Sequence, residues 1–316
     1  MHVGRTSQTA HGPHVAEGTR HAYVRAVSAT DARTIRLAYS PDADDAFMFW
    51  AIREGHIDTR GLQFTHVRAD TESLNKTAED PDAPDVTAVS IHQYAYLAER
   101  WLLLPHGGSV GVGYGPVLVA QEPRTPESLT KSRLGVPGLR TTAYLVLRLL
   151  MGNEFESVIV PIAPFRRAFD AVRGGEVDAA LLIHEGRLLY EREGLHRVLD
   201  IGEAWQTLTG LPLPLGGNVI RRDLGDETIA RVSAVLRDSI AYALAHRDEV
   251  IAWLVASETR EGVPRDREMI DRYLGMYANA DTLDYGALGR RAIVDLLARG
   301  HAAGIIPHAI DVAFSP

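Results

Sequence analysis

The stretch Thr34-Ile35-Arg36-Leu37-Ala38-Tyr39-Ser40-Pro41-Asp42-Ala43-Asp44-Asp45-Ala46-Phe47-Met48-Phe49-Trp50 passes from a strand pattern, through a turn, into a helical one. Thr34 to Tyr39 alternates with the period of a strand. A helix is expected from about residue 45 to 54, with Phe47, Trp50 and Ala51 on one face and Gly55 placed to end it. A strand delivered into a helix by a tight turn is half of a βαβ unit, which makes the domain α/β.

The same alternation continues outward. Leu62 to Val67 reads as strand, Thr71 to Ala78 as a short helix and Asp85 to Ser90 as strand, so a mostly parallel sheet is expected. Tyr94 to Arg100 reads as helix, the glycine-rich segment His106 to Pro116 follows, and Val117 to Ala120 is strand. The proline-rich Gln121 to Pro126 reads as a crossing into a second unit. That unit begins at Arg133, with a helix over Thr142 to Met151, a strand near Val158 to Val160, a helix over Phe165 to Arg173 and a strand over Val177 to Ile183. Gly210 to Gly217 reads as turns, and Asp226 to Ala256 and the C-terminal segment as helix.

This predicts two α/β lobes with a ligand cleft between them. Residues 34 to 120 with 216 to 316 form lobe I, 121 to 215 form lobe II, and 1 to 33 are a disordered N-terminal extension.

A chain of 316 residues, 46% hydrophobic, has enough apolar surface for two such lobes. With 33 basic against 41 acidic residues the formal charge is -8, which gives a nucleic-acid surface no support and favours a small-molecule ligand. The absence of cysteine excludes disulfides, thiolate metal sites and thiol nucleophiles, leaving His, acids, hydroxyls and backbone amides for chemistry. Neither a secretory h-region nor a membrane-length apolar run is present, so a cytoplasmic protein is expected that meets neither membrane nor nucleic acid.

Several motifs fail on context. Gly107-Gly108-Ser109-Val110-Gly111 matches G-x-S-x-G, but glycines and a strand follow it where a nucleophile elbow needs a helix. Gly111-Val112-Gly113-Tyr114-Gly115 lacks dinucleotide-loop spacing. The acids Asp42, Asp44 and Asp45 lack the glycine and distal glutamate of a calcium loop, so no metal is assigned to them. Carboxylates in a first helical turn suit the exposed amides and the dipole there, although capping needs one or two acids and not three. The expectation is that Asp45 caps the helix, Asp44 reaches the cleft to accept hydrogen bonds from substrate hydroxyls, and Asp42 is mostly solvated.

Two other segments point to a site. Gly138-Leu139-Arg140-Thr141-Thr142-Ala143-Tyr144 is a loop opening a helix, where free amides and hydroxyls can hold a carboxylate or a hydroxylated ligand, or where a threonine simply caps. Ala179-Ala180-Leu181-Leu182-Ile183-His184-Glu185 is a buried strand that delivers an imidazole and a carboxylate at its C-terminal end, where ligands of α/β sheets gather.

Leu181-Leu182-Ile183-His184-Glu185, Gly202, Trp205 and Thr209 to Gly216 together resemble the 1,4-dihydroxy-6-naphthoate synthase family of the futalosine route to menaquinone. Further matching segments are Ser40-Pro41 with Asp45 and Phe47, Thr71 to Asn75, Gly107-Gly108 through Gly115-Pro116, Val136 to Gly138, Thr141 to Tyr144, and Ser239 to His246. They run in order over residues 35 to about 300.

The resemblance implies a two-lobed, periplasmic-binding-protein-like (type II) fold. It also implies conversion of cyclic dehypoxanthinylfutalosine, an anionic small molecule, into 1,4-dihydroxy-6-naphthoate and dihydroxyacetone by a carbon-carbon lyase that uses no cofactor. By motif match it makes His184 the general base and places substrate contacts on Ala88, Val89, Ser90, Thr142 and Ala143; Ser40 and Asp44 are added to these from their place at the turn.

Two departures stand out. Asp42-Ala43-Asp44-Asp45-Ala46 occupies the place of a Cys-Pro-Asn-Asp-Thr pattern, and Ala88 stands where a Lys can occur. Both make the cleft mouth more negative, which Arg140 could partly offset. Alternative readings are a non-catalytic solute-binding protein of the same fold and the sister chorismate dehydratase. Oligomeric state is not legible in the sequence.

Overall fold

The computed structural model describes residues 33 to 316. The expected extension over residues 1 to 33 therefore lies outside the described residues except for Arg33, whose guanidinium donates to the carbonyl of Leu224 and to Thr228 Oγ1.

The first part of the chain forms β1 (Thr34–Tyr39), α1 (Ala43–Arg53), β2 (Gln63–Arg68), α2 (Thr71–Thr77), β3 (Val86–Ser90), α3 (Ile91–Tyr94), β4 (Trp101–Leu103) and β5 (Ser109–Gly111). A second group follows: β6 (Val117–Ala120), β7 (Arg133–Val136), α4 (Thr142–Met151), β8 (Glu156–Ile159), α5 (Arg167–Arg173), β9 (Ala179–Leu182), α6 (Gly186–Leu189), β10 (His196–Asp200) and α7 (Ile201–Thr209). The remainder is β11 (Leu213–Arg221), α8 (Asp226–Ala245), α9 (Arg247–Ser257), α10 (Arg267–Tyr277), α11 (Ala280–Leu283) and α12 (Gly286–Ala302).

Two sheets result. The first has the order β2-β1-β3-β11-β4, with β5 also paired to β11, and the second the order β10-β6-β9-β7-β8. Neighbours among β1, β2 and β3, and among β7, β8 and β9, are parallel, whereas β11 and β6 run antiparallel to theirs. The sheets are mixed, where the alternation alone predicted mostly parallel ones. The reason is topological: the parallel strands point their carboxyl ends toward the other sheet, so a strand arriving from there must run against them.

Of Tyr94 to Arg100, read as helix, only Tyr94 is helical, at the end of the short α3, and a run of turns follows it. Two further segments differ from the sequence reading. Val117–Ala120, expected in lobe I, pairs with β9 and β10, so the chain leaves the first sheet between Gly111 and Val117 and not near residue 121. The second is Gly210 to Gly217, read as turns. Leu213–Arg221 is instead a nine-residue strand at the heart of the first sheet. Glycine is required there by close packing, since a Cβ on Gly217 would come within 2.3 Å of the Tyr285 hydroxyl. That hydroxyl donates to Gly216 O.

The helices cover the sheets through continuous apolar faces. Phe47, Trp50 and Ala51 of α1 are buried among Val250, Ile251 and Tyr273. Trp205 of α7 is fully buried with Leu145 and Leu296, and its indole nitrogen donates to Pro212 O. A cavity remains at the carboxyl ends of β1, β3 and β9, bounded by the N-termini of α1, α2 and α4.

Candidate functional site

The cavity, about 740 Å³ including its open mouth, takes its wall from both sheets and the C-terminal helices. Asp44, Asp45, Thr71, Ala88, Val89 and Ser90 come from the first sheet and its connections. Thr142, Ala143 and His184 come from the second, and Tyr273 from α10. The structure thus brings together seven expected residues, His184, Ala88, Val89, Ser90, Thr142, Ala143 and Asp44, around one cavity.

Ser40 is the exception among the expected residues. It is 2% exposed and turned inward: its Oγ accepts from the amide of Asp42, and its own amide donates to Asp45 at 2.7 Å. A serine after a strand closes a local turn as readily as it faces a ligand, and here it does the former.

The acidic turn has a different division of labour from the one expected. Asp42 is 5% exposed, not solvated: Oδ1 is bound by Arg260, and Oδ2 has no aligned hydrogen-bond partner but lies 3.3 Å from Nδ1 of His184. Asp42 is the N-cap residue of α1 and makes no side-chain cap bond. Asp45 does not cap either, since it bonds the amide of Ser40, five residues back. Burial, then the neighbouring Asp44, pushes the Asp45 carboxyl up to about 7, with Asp42 adding to the rise and the Ser40 hydrogen bonds opposing it. Asp44 lines the cavity as expected, but both its oxygens already accept, Oδ2 from Ser109 Oγ at 2.7 Å and Oδ1 from the Tyr273 hydroxyl at 3.2 Å. Among the described residues, no group of three or more His, Asp or Glu side chains is arranged to hold a metal ion.

His184 sits just past β9 at φ 50, a left-handed conformation that a non-glycine residue adopts at a cost. That kink turns the imidazole out of the strand and across to the first sheet. Nε2 lies 3.0 Å from Thr71 Oγ1 at the start of α2, and Nδ1 lies 3.4 Å from the Tyr273 hydroxyl. Burial opposes the imidazolium, but Asp42, Asp44, Glu185 and Asp45 together outweigh it and raise the pKa above the ordinary 6.5.

Glu185, expected to share the site, points away from it. It is 1% exposed, bonds Arg260 at 2.8 Å and faces the amide of Ala43. Arg260, from the segment between α9 and α10, is thereby held by Asp42, Glu185 and Glu258, which ties the end of β1 to the end of β9. Arg140 does not offset the acids; it stacks on Tyr96, 3.4 Å from the ring centroid.

The helix opening at Thr142 combines both readings of its loop. Thr141 caps, accepting from the amide of Tyr144, and the Thr142 hydroxyl is spent on Leu215 O and the amide of His92. Thr142 and Ala143 still line the cavity at the first turn, where backbone amides have no partner within the helix. Ser90 is held by Asn75, which bonds both its amide and its Oγ.

Arg187, Arg260, Tyr273 and Ser109 escape sequence reasoning. Ser109 alone gave a local signal, its G-x-S-x-G match, and it serves as a donor to Asp44 on a short strand. Arg187 lines the cavity and pairs with Asp200 at 2.8 Å.

A family model described as menaquinone biosynthesis matches residues 35–302. The chain is 38% identical over 272 residues to the 1,4-dihydroxy-6-naphthoate synthase of Thermus thermophilus, covering 86% of this chain and 95% of that one. It is 36% identical over 279 residues to the synthase of the same name from Streptomyces coelicolor, covering 87% and 96%. Among solved structures, a protein from Archaeoglobus fulgidus superposes with a TM-score of 0.79 at 42% identity, covering 86% of this chain and 98% of that one. The alkanesulfonate-binding protein of Xanthomonas axonopodis, solved with MOPS bound, superposes at 0.66 with 15% identity, covering 89% and 96%, a likeness of fold alone. The architecture is that of the periplasmic-binding proteins, with two sheets and the cavity at their facing edges. With most of its length matched by model and by relatives, the chain belongs to the 1,4-dihydroxy-6-naphthoate synthase family of menaquinone biosynthesis.

Proposed function

We propose that the protein is a 1,4-dihydroxy-6-naphthoate synthase, a carbon-carbon lyase acting on cyclic dehypoxanthinylfutalosine. The observation that carries this reading is His184: in a chain of this family, it lines a hydroxyl-bearing cavity with Nε2 at the Thr71 hydroxyl and Nδ1 beside Asp42 and the Tyr273 hydroxyl.

In this reading Nε2 takes a proton from the substrate, carbon-carbon cleavage and elimination follow, and dihydroxyacetone leaves as the remaining ring system becomes aromatic. Surrounding acids stabilise the imidazolium that results. The amides of Thr142 and Ala143 suit the substrate carboxylate, with Arg187 supplying positive charge nearby. Thr71, Ser90 and Ser109 suit its sugar oxygens.

The test is incubation of the purified chain with cyclic dehypoxanthinylfutalosine or with chorismate, followed by mass spectrometry. Dihydroxynaphthoate and dihydroxyacetone in equal amounts from the first substrate are expected. Turnover of chorismate instead would favour the dehydratase, and binding without turnover would favour a solute-binding protein.

A further inference from the structure

His184 is held from behind by two groups that no motif marks, Asp42 and Tyr273. The hydroxyl of Tyr273 is central to a short chain of contacts: it donates to Asp44 Oδ1 at 3.2 Å and stands 3.4 Å from Nδ1 of His184. Asp44 is fixed in turn by Ser109, which donates to its other oxygen. Tyr273 is 2% exposed, packed in the apolar core under the cavity, so its ring has no freedom to present the hydroxyl elsewhere.

A phenol has one proton. Since Asp44 as a carboxylate can only accept, that proton is directed to it, and the phenol oxygen is left with lone pairs toward Nδ1. Asp42 Oδ2, 3.3 Å from the same nitrogen, is a second acceptor there. Both neighbours of Nδ1 therefore want a proton from it, while Nε2, on the other side of the ring, meets the Thr71 hydroxyl, which can donate.

We infer that Tyr273 is a positioning residue: by giving its proton to Asp44 and its lone pair to Nδ1–H, it fixes the neutral His184 ring in the Nδ1-protonated tautomer and leaves Nε2 as the basic nitrogen at the cavity. The inference rests on the reading of His184 as general base. It adds a residue from α10, far along the chain, that lines the cavity and acts on the base through Nδ1. A histidine whose second nitrogen is oriented by an acceptor holds its basic nitrogen in the working direction, and loss of such a partner generally lowers activity by about 10- to 100-fold.

The experiment uses the full chain labelled with 15N-histidine, with His184→Asn to assign the imidazole signals. At a pH above the ring's ionisation, the wild type is expected to show a protonated Nδ1 and a bare Nε2. In Tyr273→Phe the signals move toward the opposite tautomer, kcat falls by about 10- to 100-fold and KM stays within about twofold. Should Tyr273→Phe fold poorly, Asp44→Ala gives the same reading: it releases the phenol proton to be donated toward Nδ1 and shifts the tautomer in the same direction. A wild-type ring protonated at Nε2, or a folded Tyr273→Phe with unchanged tautomer and kcat, overturns the inference. Failure of the underlying reading looks different, because then His184→Asn itself retains turnover whatever tautomer the wild type shows.

Discussion

The ends of β1 and β9 face each other across the cavity and were built by opposite rules. After β1 come three acids in a turn with ordinary local geometry, and each is engaged by the protein itself: Asp42 by Arg260, Asp44 by Ser109 and Tyr273, Asp45 by Ser40. After β9 comes one histidine in a strained backbone conformation, with Nδ1 beside Asp42 and the Tyr273 hydroxyl and Nε2 against the Thr71 hydroxyl. A cluster of like charges is thus the supporting structure here, and in the proposed function the single histidine is the reacting group. Buried charges must be partnered, and the partners consume them; strain persists where the surroundings impose it.

The largest expected effect falls on the β9 side. His184→Asn should lower kcat by about 10² to 10⁴-fold with little change in KM, because a general base acts in the transition state. Unchanged kcat in steady-state assays would make the histidine structural and erase the contrast between the two ends.

Next comes the tie between them. Arg260→Ala leaves Asp42, Glu185 and Glu258 facing one another without their cation, and should cost about 3 kcal/mol in denaturant unfolding, since the guanidinium is 19% exposed. A loss below about 1 kcal/mol would show that solvent already screens the cluster.

Asp45 offers a smaller, pH-dependent effect. Its carboxyl is pushed up to about 7, so below the ordinary carboxylate range the folded and unfolded states are both protonated, and between there and about 7 only the folded state holds the proton. Stability contributed by this group is therefore lost as pH rises through that window. Asp45→Asn should flatten the loss and gain on the order of 1 kcal/mol at mildly alkaline pH. Thermal melts of both proteins across the window check it; parallel curves would mean that Asp45 ionises normally.

Ser40→Ala should change least, by at most about 1 kcal/mol and with kcat and KM unaltered, because the hydroxyl serves only the turn. A raised KM would return Ser40 to the substrate.

How far the sequence reveals this arrangement depends on the range of the forces involved. β1, β6, α4 and the approach to His184 are legible because alternation, helical spacing and a buried apolar run are local signals. β11 is not, since Leu213-Pro214-Leu215-Gly216-Gly217 has turn composition and becomes strand through pairing with β3, β4 and β5. The fate of Asp42 is hidden for a similar reason. Its partner Arg260 lies more than two hundred positions away, and nothing in the turn itself separates a solvated acid from a buried, paired one. Tyr273 carries no local mark at all; its role comes from where α10 packs.

The most direct test of the claim that the acids behind His184 make it the base is the pH dependence of kcat/KM. A general base works deprotonated, so activity should rise with pH through an ionisation above the ordinary histidine value of 6.5, as the raised pKa requires. The charges that act on the ring are those of Asp42, Asp44, Glu185 and Asp45, while the Tyr273 hydroxyl stands at Nδ1 and the Thr71 hydroxyl at Nε2. Asp45 titrates nearby, so the rising limb should persist in Asp45→Asn. In Asp42→Asn, which removes the largest acidic contribution, the imidazolium loses support and the limb should move to lower pH. A limb at or below 6.5 in the wild type, or one that stays in place in Asp42→Asn, would contradict the account.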